Sequence, residues 1–251
     1  MTAPILPGAE PWSADGGPHG ALVLHGFTGT PHSMRGVAEA LADAGFAVDL
    51  PLLPGHGTSV EDMVPTTWDD WSAAAESAYQ ALRSRCPDGK VVVSGLSMGG
   101  TLTLWLAEHH PEIAGVALIN AAAQDQPAMR EFAEALLASG DDTMDGIGSD
   151  IADPDAKELA YERTPLLPLK SLAEALPTVA GDLPKVTCPT LVLSSPQDHV
   201  VPPADSEAIV AGVGGPVEKV TLERSYHVAT LDYDKALVNE SVVAFARKVT
   251  A

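Results

Sequence analysis

Lys90-Val-Val-Val-Ser-Gly-Leu-Ser-Met-Gly-Gly-Thr-Leu-Thr-Leu-Trp-Leu-Ala-Glu-His109 reads as a strand, a very tight turn and a helix. Val91 to Ser94 favour extended backbone, and a helical pattern follows Gly99. The turn has the spacing Gly95-x-Ser97-x-Gly99. A strained turn of this kind pushes a serine hydroxyl clear of the backbone, and the flanking glycines remove side chains that would collide with the crossing helix. Gly100 allows still closer approach of helix to sheet. Ser97 also stands at a helix N-terminus, where free N–H groups and the helix dipole favour negative charge. A glycine-rich turn that merely contains a serine is the alternative, and the rest of the chain decides between the two.

Outward from this turn the chain alternates. Ala21 to Leu24 is a compact apolar run suited to a buried parallel strand, and it ends in His25-Gly-Phe-Thr-Gly-Thr-Pro31. From Met34, apolar positions at 37, 38, 41 and 44 recur at helical spacing until Gly45. A strand is expected at 46–50, a helix through Trp68, Trp71, Ala75, Ala78 and Leu82, and a strand at 116–120. Residues 1–19 hold at most one short edge strand. Alternation resumes with a strand at 190–194, a helix near 204–211, a strand at 217–222 and a closing helix at 234–249. Such a chain implies α/β architecture, a mostly parallel sheet covered on both faces. Between Gln124 and Pro184 the alternation stops: amphipathic helices and clustered leucines appear, without a strand signal. We read 1–123 and 185–251 as the core, and 124–184 as a cap inserted over the carboxyl ends of the strands.

Composition narrows the function. Thirty-four acidic against fourteen basic residues give a net charge of −20, which disfavours nucleic acid and anionic membranes as partners. No apolar run approaches the ~20 residues needed to span a bilayer. The N-terminus lacks a signal-peptide pattern, and Cys86 and Cys188 are too few for a disulfide framework, so a cytoplasmic setting is expected. Neither a metal-ligand spacing nor a nucleotide-binding glycine motif occurs, and no cofactor is expected.

A serine hydroxyl needs a base, and the base needs an orienting acid. Strand 190–194 leads to Asp198, and strand 217–222 leads to His227. The order Ser97, Asp198, His227 is that of α/β-hydrolases. Among rival histidines, His19, His32, His109 and His110 read as solvated. His25 and His56 brace strand-end turns, and His199 adjoins Asp198 too closely to be its partner. Asp125 is the second choice of acid; Asn120 cannot ionise, while Asp205, Asp232 and Asp234 read as helix-end charges. An oxyanion would be held by the N–H of Met98, after the serine, and that of Phe27, after the first strand.

Several stretches carry a closer resemblance. His25-Gly-Phe-Thr-Gly-Thr-Pro-His-Ser-Met-Arg35, Pro54-Gly-His-Gly57, Ile147-Gly-Ser-Asp150, Lys157-Glu-Leu-Ala-Tyr-Glu162, Asp198-His-Val-Val-Pro-Pro203 and Ser225-Tyr-His-Val-Ala-Thr-Leu-Asp-Tyr-Asp234 resemble bacterial monoacylglycerol lipases and their carboxylesterase relatives. The resemblance covers nearly the whole chain. It implies the α/β-hydrolase fold, Ser97, Asp198 and His227 as catalytic triad, and Phe27 and Met98 as oxyanion donors. It further implies that Glu158 reaches a glycerol head group and that Ile147 lines the lid side of the pocket. The expected activity is hydrolysis of monoacylglycerols, with transient contact with lipid aggregates. A short-chain carboxylesterase is the nearest alternative, followed by acyl transfer and by a catalytically dead binding module.

Overall fold

The computed structural model describes residues 3–146 and 148–251. In chain order it contains β1 (Trp12–Ala14), β2 (Gly20–Leu24), α1 (Arg35–Asp43), β3 (Ala47–Leu50), α2 (Val60–Met63), α3 (Trp68–Arg85), β4 (Val91–Leu96), α4 (Met98–His109) and β5 (Gly115–Ile119). There follow α5 (Pro127–Ala138), β6 (Thr143–Asp145), β7 (Arg163–Pro165), α6 (Leu166–Asp182), β8 (Thr190–Ser194), α7 (Pro203–Gly212), β9 (Val217–Thr221) and α8 (Lys235–Thr250).

Seven strands form one sheet in the order β1-β3-β2-β4-β5-β8-β9. All neighbours are parallel except β1, which pairs antiparallel with β3. The continuous apolar runs of β2, β4, β5 and β8 follow from burial on both faces. Successive side chains divide between two cores. Val91 and Val93 pack with Trp71, Tyr79 and Leu102 of α3 and α4, while Val92 packs with Leu41 and Phe245 of α1 and α8. Glu218 and Lys219 keep the edge strand β9 solvated and so discourage pairing with another chain.

Local chemistry sets the boundaries. Thr67 and Asp70 form a capping box at the start of α3. Gly45, at φ 98°, takes the chain out of α1 in the left-handed region. The first helix was expected from Met34, but Pro31–Met34 forms a tighter 3₁₀ turn capped by Thr30, and α1 starts one residue later. The expectation of no strand between Gln124 and Pro184 needs correction. β6 and β7 form an antiparallel ribbon of three residues each, held by the Arg163 guanidinium on the Thr143 side chain and carbonyl and on Asp145. Strands this short, with charged residues among them, leave no readable alternation. Among the described residues, no helix is long and apolar enough to cross a membrane.

Candidate active site

Ser97 sits at the β4–α4 junction with φ 55° and ψ −122°, a conformation that strains any residue with a Cβ. Glycine is required around it by close backbone approach. A Cβ on Gly95 would stand 2.1 Å from the Gly99 carbonyl oxygen, and one on Gly99 would stand 2.2 Å from that of Leu24. Tight packing of helix against strands therefore forces the turn and leaves Ser97 facing a cavity of about 90 Å³.

His227 reaches the same cavity from the loop after β9. Its Nδ1 donates to Asp198 Oδ2 at 2.7 Å, leaving Nε2 as the other ring nitrogen, and both side chains are more than nine-tenths buried. Asp198 Oδ1 accepts from the N–H groups of Val200 and Val201, each at 2.8 Å, which fixes the carboxyl group in place beside the ring. Asp125, the second choice of acid, lies exposed on the surface and pairs with Arg130 at 3.0 Å. His199 turns away from Asp198 and meets Asp150 Oδ1 at 2.8 Å.

Three buried aspartates correct the reading of helix-end charges. Asp205 and Asp234 do stand at helix starts, but Asp205 accepts from the N–H groups of Ala123 and Gln124, and Asp234 from that of Arg224. Asp232, fully buried, accepts from the N–H groups of Ala152, Asp153, Tyr226 and Tyr233. Each carboxylate organises a loop around the cavity. His110 is likewise less solvated than expected, its ring held between Glu76 and Glu112.

Asn120, set aside because it cannot ionise, has a structural task at the end of β5. Held at φ 45°, it accepts from Ser195 N–H at 2.8 Å and donates to the carbonyl of His227 at 2.8 Å. A polar residue ending an otherwise apolar strand was the available signal.

Across the cavity, Phe27 and Met98 both form part of the wall. Met98 is the first residue of α4, where N–H groups have no intrahelical acceptor. The loop carrying Phe27 is braced as expected by His25 and His56. His25 Nε2 accepts from Leu53 N–H at 3.1 Å, so Nδ1 holds the proton and donates to the Gly26 carbonyl. Burial holds the pKa of His25 down at about 4 and that of His56 at about 3, the latter lowered further by the neighbouring His25, so both rings are neutral braces. The Phe27 ring packs edge-on against Trp71, with centroids 5.7 Å apart.

The segment between β5 and β8 supplies much of the lining, with Met129 from α5 and Leu169, Leu172 and Leu176 from α6. Ile147, expected on the lid side, lies outside the described residues. Glu158 does reach the cavity. A Cβ on Gly29 would stand 2.7 Å from Glu158 Oε1, so the absent side chain makes room for the carboxyl. Burial pushes the Glu158 pKa up to about 7, with His227 acting in the opposite sense. The strand-end loop and this segment are stitched together, since Tyr161 N–H donates to the Thr28 carbonyl and Thr30 Oγ1 to the Leu159 carbonyl.

A serine at a strand–helix elbow beyond the middle of a mostly parallel sheet, facing a histidine on a later loop, defines an α/β-hydrolase. The model of the serine aminopeptidase S33 family matches residues 18–234. The chain is 49% identical to the thermostable monoacylglycerol lipase of Bacillus sp. (strain H-257), over 98% of this chain and 97% of that protein. It is 28% identical to a carboxylesterase of Bacillus subtilis (strain 168), over 96% and 97% of the two chains. A solved structure from work on two metagenome-derived lipolytic enzymes superposes with a TM-score of 0.91 at 45% identity, covering 98% of this chain and 100% of that one. The chain belongs to the serine aminopeptidase S33 family of α/β-hydrolases, among its bacterial monoacylglycerol lipases and carboxylesterases.

Proposed function

We propose that this hydrolase cleaves monoacylglycerols to glycerol and fatty acid through an acyl-enzyme on Ser97. The observation that carries the reading is that His227, bonded to Asp198 at 2.7 Å, lines the same cavity as the elbow serine. His227 Nε2 takes the Ser97 hydroxyl proton as Oγ attacks the ester carbonyl carbon. The carbonyl electron pair moves to oxygen, where the N–H groups of Phe27 and Met98 hold it. Collapse breaks the carbon–oxygen bond to glycerol, which leaves with the proton from His227. Water then gives a proton to His227 and attacks the acyl carbon; collapse releases the fatty acid and returns the proton to Ser97.

The monoacylglycerol assignment draws on the Bacillus relative and on Glu158, a carboxyl group in the cavity suited to glycerol hydroxyls. Leucines of α6 and Met129 would enclose the acyl chain, gaining roughly 25 cal/mol per Å² of apolar surface buried. In this reading 124–184 acts as a cap on a core of 1–123 and 185–251, with Phe132 and Leu167 exposed on its helices where a lipid aggregate would touch. Two buried free cysteines accord with a cytoplasmic setting.

The test is a substrate panel with a serine probe. Monoacylglycerols should be turned over faster than di- and triacylglycerols and short p-nitrophenyl esters. Ser97→Ala should lower kcat on the order of 10⁴-fold. A phosphonate should label Ser97 once. Labelling elsewhere would overturn the nucleophile; uniform activity on all esters would make the protein a carboxylesterase.

A further inference from the structure

His227 is held from more sides than its acid alone provides. Asp150, on the segment between β6 and β7, accepts at Oδ2 from the backbone N–H of His227 at 3.0 Å and from that of His199 at 3.1 Å. Its Oδ1 meets His199 Nδ1 at 2.8 Å, and its carbonyl accepts from Val228 N–H at 3.0 Å. One residue thus bridges the loop that carries Asp198 and the loop that carries His227. The bridge is returned from the other side: Asp232, on the His227 loop, accepts from the N–H groups of Ala152 and Asp153. Two carboxylates pointing in opposite directions lock residues 150–153 against residues 226–233. The Asp150 side chain is only 13% exposed, and charge-assisted hydrogen bonds to backbone N–H groups are strong at such a site.

We propose that Asp150 is a positioning residue that sets the separation of the base loop and the acid loop, and so keeps His227 within bonding distance of Asp198. The proposal rests on the reading of Ser97, Asp198 and His227 as the triad. Its physical basis is that these loops follow different strands, β8 and β9, so their tips need a common anchor beyond the sheet. Small displacements of a base cost rate out of proportion to their size. The anchor comes from the inserted segment, making that segment part of the catalytic frame as well as part of the cavity wall.

Asp150→Ala and Asp150→Asn separate positioning from charge. The amide oxygen of Asn can still accept from both N–H groups, and its NH₂ can face His199 Nδ1 in the tautomer protonated at Nε2. In the full-length enzyme, Asp150→Ala should lower kcat about 10- to 100-fold while KM moves less than about threefold. Asn should recover most of that loss. The low-field proton resonance of the His227–Asp198 hydrogen bond should broaden or vanish in Asp150→Ala and persist in Asp150→Asn, with circular dichroism unchanged in both. Retention of kcat and of the resonance in Asp150→Ala would overturn the proposal. Equal losses in both variants would also overturn it, since the carboxylate would then act through charge. The resonance does not depend on turnover, so it decides the positioning claim even if Ser97→Ala kept activity and the triad reading failed.

Discussion

Asn120 Nδ2 donates to the backbone carbonyl of His227 at 2.8 Å, joining the end of β5 to a loop 107 residues further along the chain. The same amide group reaches the Ser195 hydroxyl at 3.0 Å, and its oxygen accepts from Ser195 N–H. Asn120→Ala would leave a buried carbonyl and a buried N–H without partners, at about 1–3 kcal/mol for each group. We expect a loss on the order of 2–6 kcal/mol in a denaturant titration, together with lower kcat. A variant as stable and active as the parent would show that water replaces the amide.

The choice of acid is tested by a pair of substitutions. Asp198→Asn should cost on the order of 10⁴-fold in kcat, because an amide beside Nδ1 favours the wrong tautomer of His227. Asp125→Asn removes only an exposed pair with Arg130 and should stay within about twofold of the parent. The opposite ranking in steady-state kinetics would move the acid to Asp125.

If Glu158 reads the glycerol head group, as proposed, substrate preference should depend on pH. Its carboxyl titrates at about 7, and the ionised form is the stronger acceptor for glycerol hydroxyls. The ratio of kcat/KM for monoacylglycerol to that for a p-nitrophenyl ester of the same acid should rise as pH passes upward through about 7. In Glu158→Gln the ratio should be flat. Glu158→Ala should reduce monoacylglycerol kcat/KM about 10- to 100-fold and simple esters less than about threefold. Gly29→Ala, whose new Cβ would crowd Oε1, should reproduce the same selective loss. Equal losses on both substrates would remove Glu158 from head-group recognition.

Glu108 makes a prediction about stability alone. Both carboxylate oxygens are buried on α4 without a hydrogen-bond partner among the described residues. Burial, aided by Asp182 and opposed by Lys185, pushes the group from 4.5 up to about 8. A folded pKa above the unfolded one means that the folded state holds the proton more tightly. The resulting stabilisation is complete below 4.5 and is lost as pH rises to about 8. Glu108→Gln should abolish this part of the pH dependence, so its Tm should fall less than the parent's between pH 5 and about 8. Parallel Tm curves would mean that the carboxylate finds a partner.

Much of this site is written in local sequence. Gly95, Ser97 and Gly99 predict the elbow because so tight a strand-to-helix turn leaves no room for a Cβ at either glycine: Gly95 faces the backbone of Gly99 itself, and Gly99 faces the Leu24 carbonyl of the neighbouring strand. The positions of Asp198 and His227 follow from counting strands, since a parallel sheet delivers the end of each strand to the same edge. The apolar runs of β2, β4, β5 and β8 likewise declare burial on both faces. Other features depend on partners far away in the chain. Asn120, Asp150 and Asp232 are ordinary polar residues until folding brings loop N–H groups and carbonyls from distant segments within 3 Å or so, where burial makes each unpaired group costly. The β6–β7 ribbon is too short to show a period and forms through contact with its partner strand. Glu158 has the local sequence of a solvated helix charge; only the fold lays it over Gly29 beside His227, where loss of water raises its pKa.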